Sequence, residues 1–139
     1  MTIIFEKIIP TKSQQEKLYL LLLNKKYSIS HNKIPSPEEH KKFVLENPYI
    51  EWYLLYKDNN LLGSIYFHSD NSIGLNLSQP NKDDILEIIT YIKKNHYPLP
   101  SIKSLRRGEF FINIPPDDIN MIQILKELDK KEIQYSFTV

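Results

Sequence analysis

The chain has no cysteine and no alanine, and only three glycines in 139 residues, at Gly63, Gly74 and Gly108. Each scarcity excludes some chemistry. Without cysteine there is no disulfide framework, no thiol nucleophile and no thiolate metal site. With no two glycines close together, neither a Walker A loop nor a G-x-G-x-x-G dinucleotide turn can be written. Arginine occurs only as the adjacent pair Arg106 and Arg107. The longest apolar run, Leu18 to Leu23, falls far short of the roughly 20 residues that span a bilayer, so no membrane contact is expected. The opening MTIIFEKIIPTK has no basic stretch ahead of an apolar one and does not read as a signal peptide. The lack of cysteine fits a reducing compartment, and the cytoplasm is the expected location. Charge is balanced, with 18 basic and 17 acidic residues for a net +1. No broad field is available to attract nucleic acid.

What is present reads as alternating strands and helices in one domain over residues 1–139. Thr2 to Ile9 is β-branched and aromatic, a first strand stopped by Pro10. Ser13 and Glu16 have the spacing of a capping box, with a helix following to about Lys26. Ser36-Pro37-Glu38-Glu39 is a second capping box with proline at the first helical position, opening a helix that turns Phe43 and Val44 inward. Glu51 to Lys57, Leu61 to His68 and Ile73 to Leu77 form a three-stranded meander around turns at Asp58-Asn59-Asn60 and Ser69-Asp70-Asn71-Ser72. From Asn81 to Asn95 a helix places Ile85, Ile88, Ile89 and Ile92 on one face. Glu109 to Ile114 is a strand ended by Pro115-Pro116. Asp117 or Asp118 caps a last helix with Met121, Ile122, Leu125 and Leu128 inward, and Glu132 to Thr138 alternates as a final strand. The order β-α-α-β-β-β-α-β-α-β is an α+β fold, a mixed and mostly antiparallel sheet flanked by helices.

This order, with Ile34-Pro35-Ser36-Pro37-Glu38-Glu39-His40-Lys41-Lys42-Phe43, Trp52-Tyr53-Leu54-Leu55, Leu62-Gly63-Ser64-Ile65, Ile73-Gly74-Leu75 and the closing stretch from Phe111 to Val139, resembles the GCN5-related N-acetyltransferases. The acidic-acidic-His stretch is similar to the members that acylate amino sugars. The resemblance implies an acyl-CoA N-acyltransferase-like fold and transfer of an acyl group from acetyl-coenzyme A, or another acyl-CoA, to a small amine such as an amino sugar. It implies cofactor contacts at Leu75, Asn76, Leu77, Gln79 and Lys82, with a backbone N–H in the Asn76 to Ser78 region holding the acyl oxygen. In the family, glycines in the loop after the fourth strand aim backbone N–H groups at the pyrophosphate. Here that loop is Gln79-Pro80-Asn81-Lys82-Asp83-Asp84, with Lys82 and Asp84 where small residues stand. Leu125 stands where the family often has a tyrosine acid, and Asp129-Lys130 where it has a glycine-aromatic pair. The alternative reading is therefore a domain that keeps the fold, has lost catalysis and serves as a binding or interaction module.

Site candidates follow. His40 and Glu109 are candidate proton acceptors, and His31, Glu39, Arg106 and Arg107 are candidate substrate contacts, the arginines because guanidinium forks match phosphate or carboxylate. Each has a plainer reading: His40 as a solvent-facing helical residue, Glu109 as a surface partner of one arginine, the arginine pair as a solvated turn. Trp52, Tyr53, Tyr56, Tyr66 and Phe67 read as core first and as a stacking floor second. His31 and His40 alone are too few for a metal site, and no serine sits in a nucleophile elbow. The oligomeric state stays open, a homodimer included.

Overall fold

The meander's alternation sorts its side chains onto two faces, and helices cover both. A computed structural model describes residues 2–25 and 34–139. Its elements are β1 (Ile4–Lys7), α1 (Lys12–Leu23), α2 (Pro37–Glu46), β2 (Glu51–Lys57), β3 (Asn60–Phe67), β4 (Ser72–Leu77), α3 (Lys82–Asn95), β5 (Phe111–Ile112) and α4 (Ile119–Glu127). The five strands lie in sequence order, antiparallel from β1 through β4, with β5 parallel to β4. On one face, Leu55, Ile65, Phe67 and Ile73 pack with Ile3 against Ile88 and Ile92 of α3. On the other, Trp52 and Leu54 meet Leu18 and Leu21 of α1 and Val44 of α2. A third cluster joins Ile85 of α3 to Met121 and Ile124 of α4, with Leu75, Leu77, Ile114, Leu125 and Leu128 against it. No described helix is long and apolar enough to cross a membrane.

The expected mixed, mostly antiparallel α+β architecture is the one observed, with corrections at element level. Helix α1 is capped by Thr11, whose hydroxyl accepts from the Gln14 N–H at 3.2 Å, two residues ahead of the expected Ser13 box. Gln14 is buried and fastens the strand to the helix: its oxygen accepts from the Ile9 N–H at 2.7 Å, and its amide donates to the Lys7 carbonyl at 3.0 Å. The Ser36–Glu39 box forms as expected, but α2 buries His40 and Val44 while Phe43 is 42% exposed rather than inward. β5 has two residues rather than six. The 132–138 segment, expected as a closing strand, joins no ladder among the described residues and is exposed.

Two close approaches explain the retained glycines. A Cβ on Gly63 would stand 1.9 Å from the Asn76 carbonyl oxygen, and one on Gly74 would stand 2.0 Å from the Tyr66 ring. The first relieves crowding beside the β2 bulge at Leu55/Tyr56. The second lets the Tyr66 ring lie flat on β4.

Asn71 holds the parallel β4–β5 pairing in place. It adopts φ 71°, a left-handed conformation that asparagine tolerates better than most residues. Its side chain is buried and fully used: the amide donates to the carbonyls of Leu99 (2.9 Å) and Arg107 (2.8 Å), and the oxygen accepts from the Leu99 N–H (2.8 Å). Its own carbonyl accepts from the Phe111 N–H at 3.3 Å, starting the β4–β5 pairing. Replacement by alanine leaves three backbone groups without their partner and strains the backbone, so Asn71→Ala should lose about 3 kcal/mol in urea unfolding. Asn71→Gly keeps the conformation and should recover about 1 kcal/mol of that.

Candidate functional site

Strand β4 leaves its neighbour after two rungs. Ser72 pairs with Phe111 and Ile73 with Ile112, and no further rung joins the strands. Antiparallel pairing to β3 continues through Leu77, and the Ser78 N–H donates to the Leu62 carbonyl at 2.9 Å. Peptide groups of Gly74, Asn76 and Ser78 therefore face β3. By alternation, those of Leu75 and Leu77 face the opening between β4 and β5. Of the N–H groups expected to hold an acyl oxygen around Asn76 to Ser78, the one left for that task is Leu77's.

The opening is built from both faces. On the α3 side Leu75, Leu77, Ile114, Leu125 and Leu128 are half-buried around the α3–α4 cluster and give it an apolar wall. Leu125 extends this wall and carries no proton to donate. On the opposite side the Asn76 amide donates to the Leu21 carbonyl at 3.4 Å, tying the last turn of α1 over the end of β4. Beside it lies an aromatic group in which Tyr49 stacks on Tyr66 at 4.3 Å, and the His68 ring is 5.1 Å from Tyr49.

The start of α3 stands at the end of β4. Asn81 is its cap, the side chain accepting from the Asp84 N–H at 2.9 Å and donating to the Asp84 carboxylate at 2.8 Å. The other Asp84 oxygen meets the Lys57 ammonium at 2.8 Å, with Asp84 buried. Burial alone would raise the Asp84 pKa, but the hydrogen bonds from Lys57 and Asn81 and the Lys57 charge outweigh it and hold the carboxyl below its ordinary range. Asp84 is thus neutralised at a helix start where its charge would oppose a phosphate. Helix geometry leaves the Lys82 and Asp83 N–H groups without intrahelical acceptors, and the side chains of Gln79 and Lys82 are exposed.

The other candidates lie elsewhere. His40 is buried rather than solvent-facing: it points from α2 toward α1, its ring 5.1 Å from Tyr19, whose hydroxyl donates to the Pro35 carbonyl at 2.9 Å. Burial lowers its pKa below the ordinary histidine value. Glu39 is engaged in the α2 capping box. Arg106 braces its own loop, donating to the carbonyls of Pro100 (2.7 Å) and Ser69 (3.3 Å). Arg107 pairs with Glu109 at 2.9 Å on the surface. These three precede β5, next to Ser72, while the opening widens toward Leu77, five residues or about 16 Å further along β4. His31 lies outside the described residues. Among the described residues no three histidine, aspartate or glutamate side chains converge as metal ligands. Sequence reasoning missed Lys57 and Asn71. Lys57 lies 27 residues from Asp84, and Asn71 looks like any other turn asparagine.

Both shifted groups give a stability signature in acid. Asp84 has its folded pKa below the unfolded value of about 3.9, so its contribution is complete above that pH and is lost as pH falls through the folded value. Asp84→Asn should flatten that part of the acid-unfolding curve. Buried His40 binds its proton later than the unfolded chain does, so stability should decline as pH drops below about 6.5, and His40→Gln should remove that slope. Urea midpoints measured across pH check both.

No protein-family model and no curated protein matches the sequence. Solved structures do match. A possible acetyltransferase from Clostridium difficile 630 superposes with a TM-score of 0.58 at 12% identity, over 100% of this chain and 97% of that one. RimL, a ribosomal L7/L12 alpha-N-protein acetyltransferase in complex with coenzyme A, gives 0.59 at 17% identity, over 91% and 78%. An aminoglycoside acetyltransferase from an uncultured soil metagenomic sample gives 0.55 at 11% identity, over 100% and 98%. At these identities the likeness is one of architecture, and it agrees with the diverging β4–β5 pair: the chain has the fold of the GCN5-related N-acetyltransferases.

Proposed function

We propose that the chain is an acyl-coenzyme A-dependent N-acyltransferase for a small amine. The observation that carries this reading is the opening of the sheet at β4, where the Leu75 and Leu77 peptide groups face an apolar gap with no strand opposite. An unpaired backbone edge beside a hydrophobic wall fits the amide-bearing pantetheine arm of coenzyme A, which needs donors and acceptors at strand-like spacing. The phosphate end fits less fully. Two first-turn N–H groups and the Lys82 ammonium are available at the start of α3, in place of a glycine cradle. The bound cofactor would supply a thioester, a carbonyl activated for attack by an amine.

This chain's residues then have three tasks. The Leu77 N–H would donate to the acyl oxygen, where charge grows in acyl transfer. Leu75, Ile114 and Leu125 would exclude water from the thioester. The α1 side of β4, with Asn76, Tyr49, Tyr66 and His68, is where the amine would approach. Its stacked rings suit the apolar face of a sugar, so an amino sugar is the acceptor class we favour. Rate enhancement would come chiefly from holding the amine and the acyl carbon together.

A second reading has its own observation. The Asn81–Asp84–Lys57 network and the apolar Leu125 suit a domain that keeps the architecture and binds without turnover.

Melting with millimolar acetyl-coenzyme A tests the proposal. Saturation at 100 times the dissociation constant adds about 2.7 kcal/mol, a rise of several degrees. Lys82→Ala should reduce the rise more than Gln79→Ala. No rise at any concentration overturns coenzyme A binding. A rise without thiol release across a panel of amino sugars and other small amines selects the second reading. Because the chain has no cysteine, a thiol reagent reads released coenzyme A without background.

A further inference from the structure

Arginine occurs in this chain only as Arg106 and Arg107. Both stand on the loop between α3 and β5, in the wall of a cleft of about 580 Å³ that also takes in Lys103, Ser104, Phe111 and Asn113. That volume lies in the range of small-molecule sites. The loop has a fixed frame. Ile102 and Arg106 exchange backbone hydrogen bonds at 2.8 Å in each direction, and the Leu105 N–H donates to the Ile102 carbonyl at 2.9 Å. Ser104 closes this small hairpin at φ 67°. Gly108 lets the returning limb run against Ser101, whose Cβ lies 3.2 Å from where a Cβ on the glycine would stand. Asn71 holds the base of the loop through the Leu99 and Arg107 carbonyls.

The charges on this frame are only partly compensated. Arg106 is partly buried, and its Nε and Nη1 donate to neutral acceptors, the carbonyls of Pro100 (2.7 Å) and Ser69 (3.3 Å). Those bonds fix the plane of the guanidinium without cancelling its charge, and they leave Nη2 without a partner among the described residues. Neither Arg106 nor Lys103 forms an ion pair among the described residues. Arg107 spends its Nε and Nη2 on Glu109 and lies 6.0 Å over the Phe111 ring. Asp70 also lines the cleft, and its carboxylate accepts from the Ser72 N–H at 2.8 Å within its own turn. A fixed guanidinium with an open edge, beside an exposed ammonium, is the donor set that suits a phosphate.

Apolar surface continues the cleft. Leu105, 79% exposed, and Phe111 both line it and can cover a carbon skeleton attached to the phosphate. We propose that this cleft binds a phosphate ester of a small organic molecule. Arg106 is the fixed anchor, Lys103 the second cation, and the Ser104 hydroxyl and Asn113 amide are neutral donors. A phosphomonoester carries about two negative charges at neutral pH, which Lys103 and Arg106 together match, whereas a carboxylate brings only one. The site is separate from the acyl opening, since Ser72, the partner of Phe111, stands about 16 Å from Leu77 along β4. Its occupancy does not depend on coenzyme A.

Calorimetric titration of the full chain at constant ionic strength tests this. The probes are inorganic phosphate, glucose phosphate and adenosine monophosphate, with glucose and adenosine as uncharged controls. At least one ester should bind saturably and more tightly than inorganic phosphate, and its uncharged control should not bind. Lys103→Glu should weaken that ester about tenfold or more. This variant keeps the loop intact, because the Lys103 side chain makes no hydrogen bond among the described residues. Arg106→Lys keeps the charge but loses the fork, and should weaken the ester by a similar factor. Lys82→Ala, at the start of α3, should leave ester binding unchanged. Absence of saturable binding by either ester overturns the proposal, and so does binding that ignores Lys103→Glu. An ester lost in Lys82→Ala or displaced by acetyl-coenzyme A belongs to the α3 start and overturns it too. Equal affinity for inorganic phosphate and the esters overturns the organic part of the ligand.

Discussion

The hydrogen bonds of one buried asparagine set the geometry on which the candidate site depends. Asn71 sits at the tip of the β3–β4 turn and grips the connection from α3 to β5 at Leu99 and Arg107, while its carbonyl receives the Phe111 N–H. The long connection is thereby delivered to the beginning of β4, and pairing starts there. Twisted strands pinned together at one end and held by different helices at the other separate with distance. β4 stays with β3, and β5 turns away toward α4 through Pro115 and Pro116. The opening at Leu75–Leu77 is the consequence of that one fixed corner.

A second arrangement decides what the opening can hold. The run Lys82-Asp83-Asp84, read along the chain, places two carboxylates where a phosphate would need donors. In three dimensions Asp84 turns inward to Lys57 on β2 and to its own cap, Asn81. The pair removes one negative charge from the helix start and locks α3 to the sheet. The site is neither the glycine cradle of the resemblance nor a repelling acidic end, but a helix start with two free N–H groups and one exposed lysine.

Much of the architecture was legible because it rests on local signals. The isoleucines of α3, the Ser36 box and the polar turns of the meander each specify an element by periodicity or capping, and their order restricts the topology. Failures occurred where local signals compete or where contacts are remote. Ser13–Glu16 has capping spacing, but Thr11 follows Pro10 and begins the helix first, which frees Gln14 to tie strand to helix. His40 follows two glutamates and looks solvated, yet it faces α1 because Val44 on the same helix must reach the core. Glu109 and the two arginines read as a site from their chemistry, and they lie at the closed end of the β4–β5 pair.

Composition and pattern determined the fold class, the two-faced sheet and the absence of glycine-built phosphate loops, because each follows from side-chain type and spacing along a single segment. Gly63 and Gly74 were legible as features of the meander, but only the tertiary structure showed the Asn76 carbonyl and the Tyr66 ring that require them. The same holds for the length of the β4–β5 pairing, the partner of Asp84 and the unpaired 132–139 segment. These are set by residues distant in sequence that meet only when helices pack on both faces of the sheet. Hydrogen bonds and ion pairs between distant segments leave no periodic trace in the sequence.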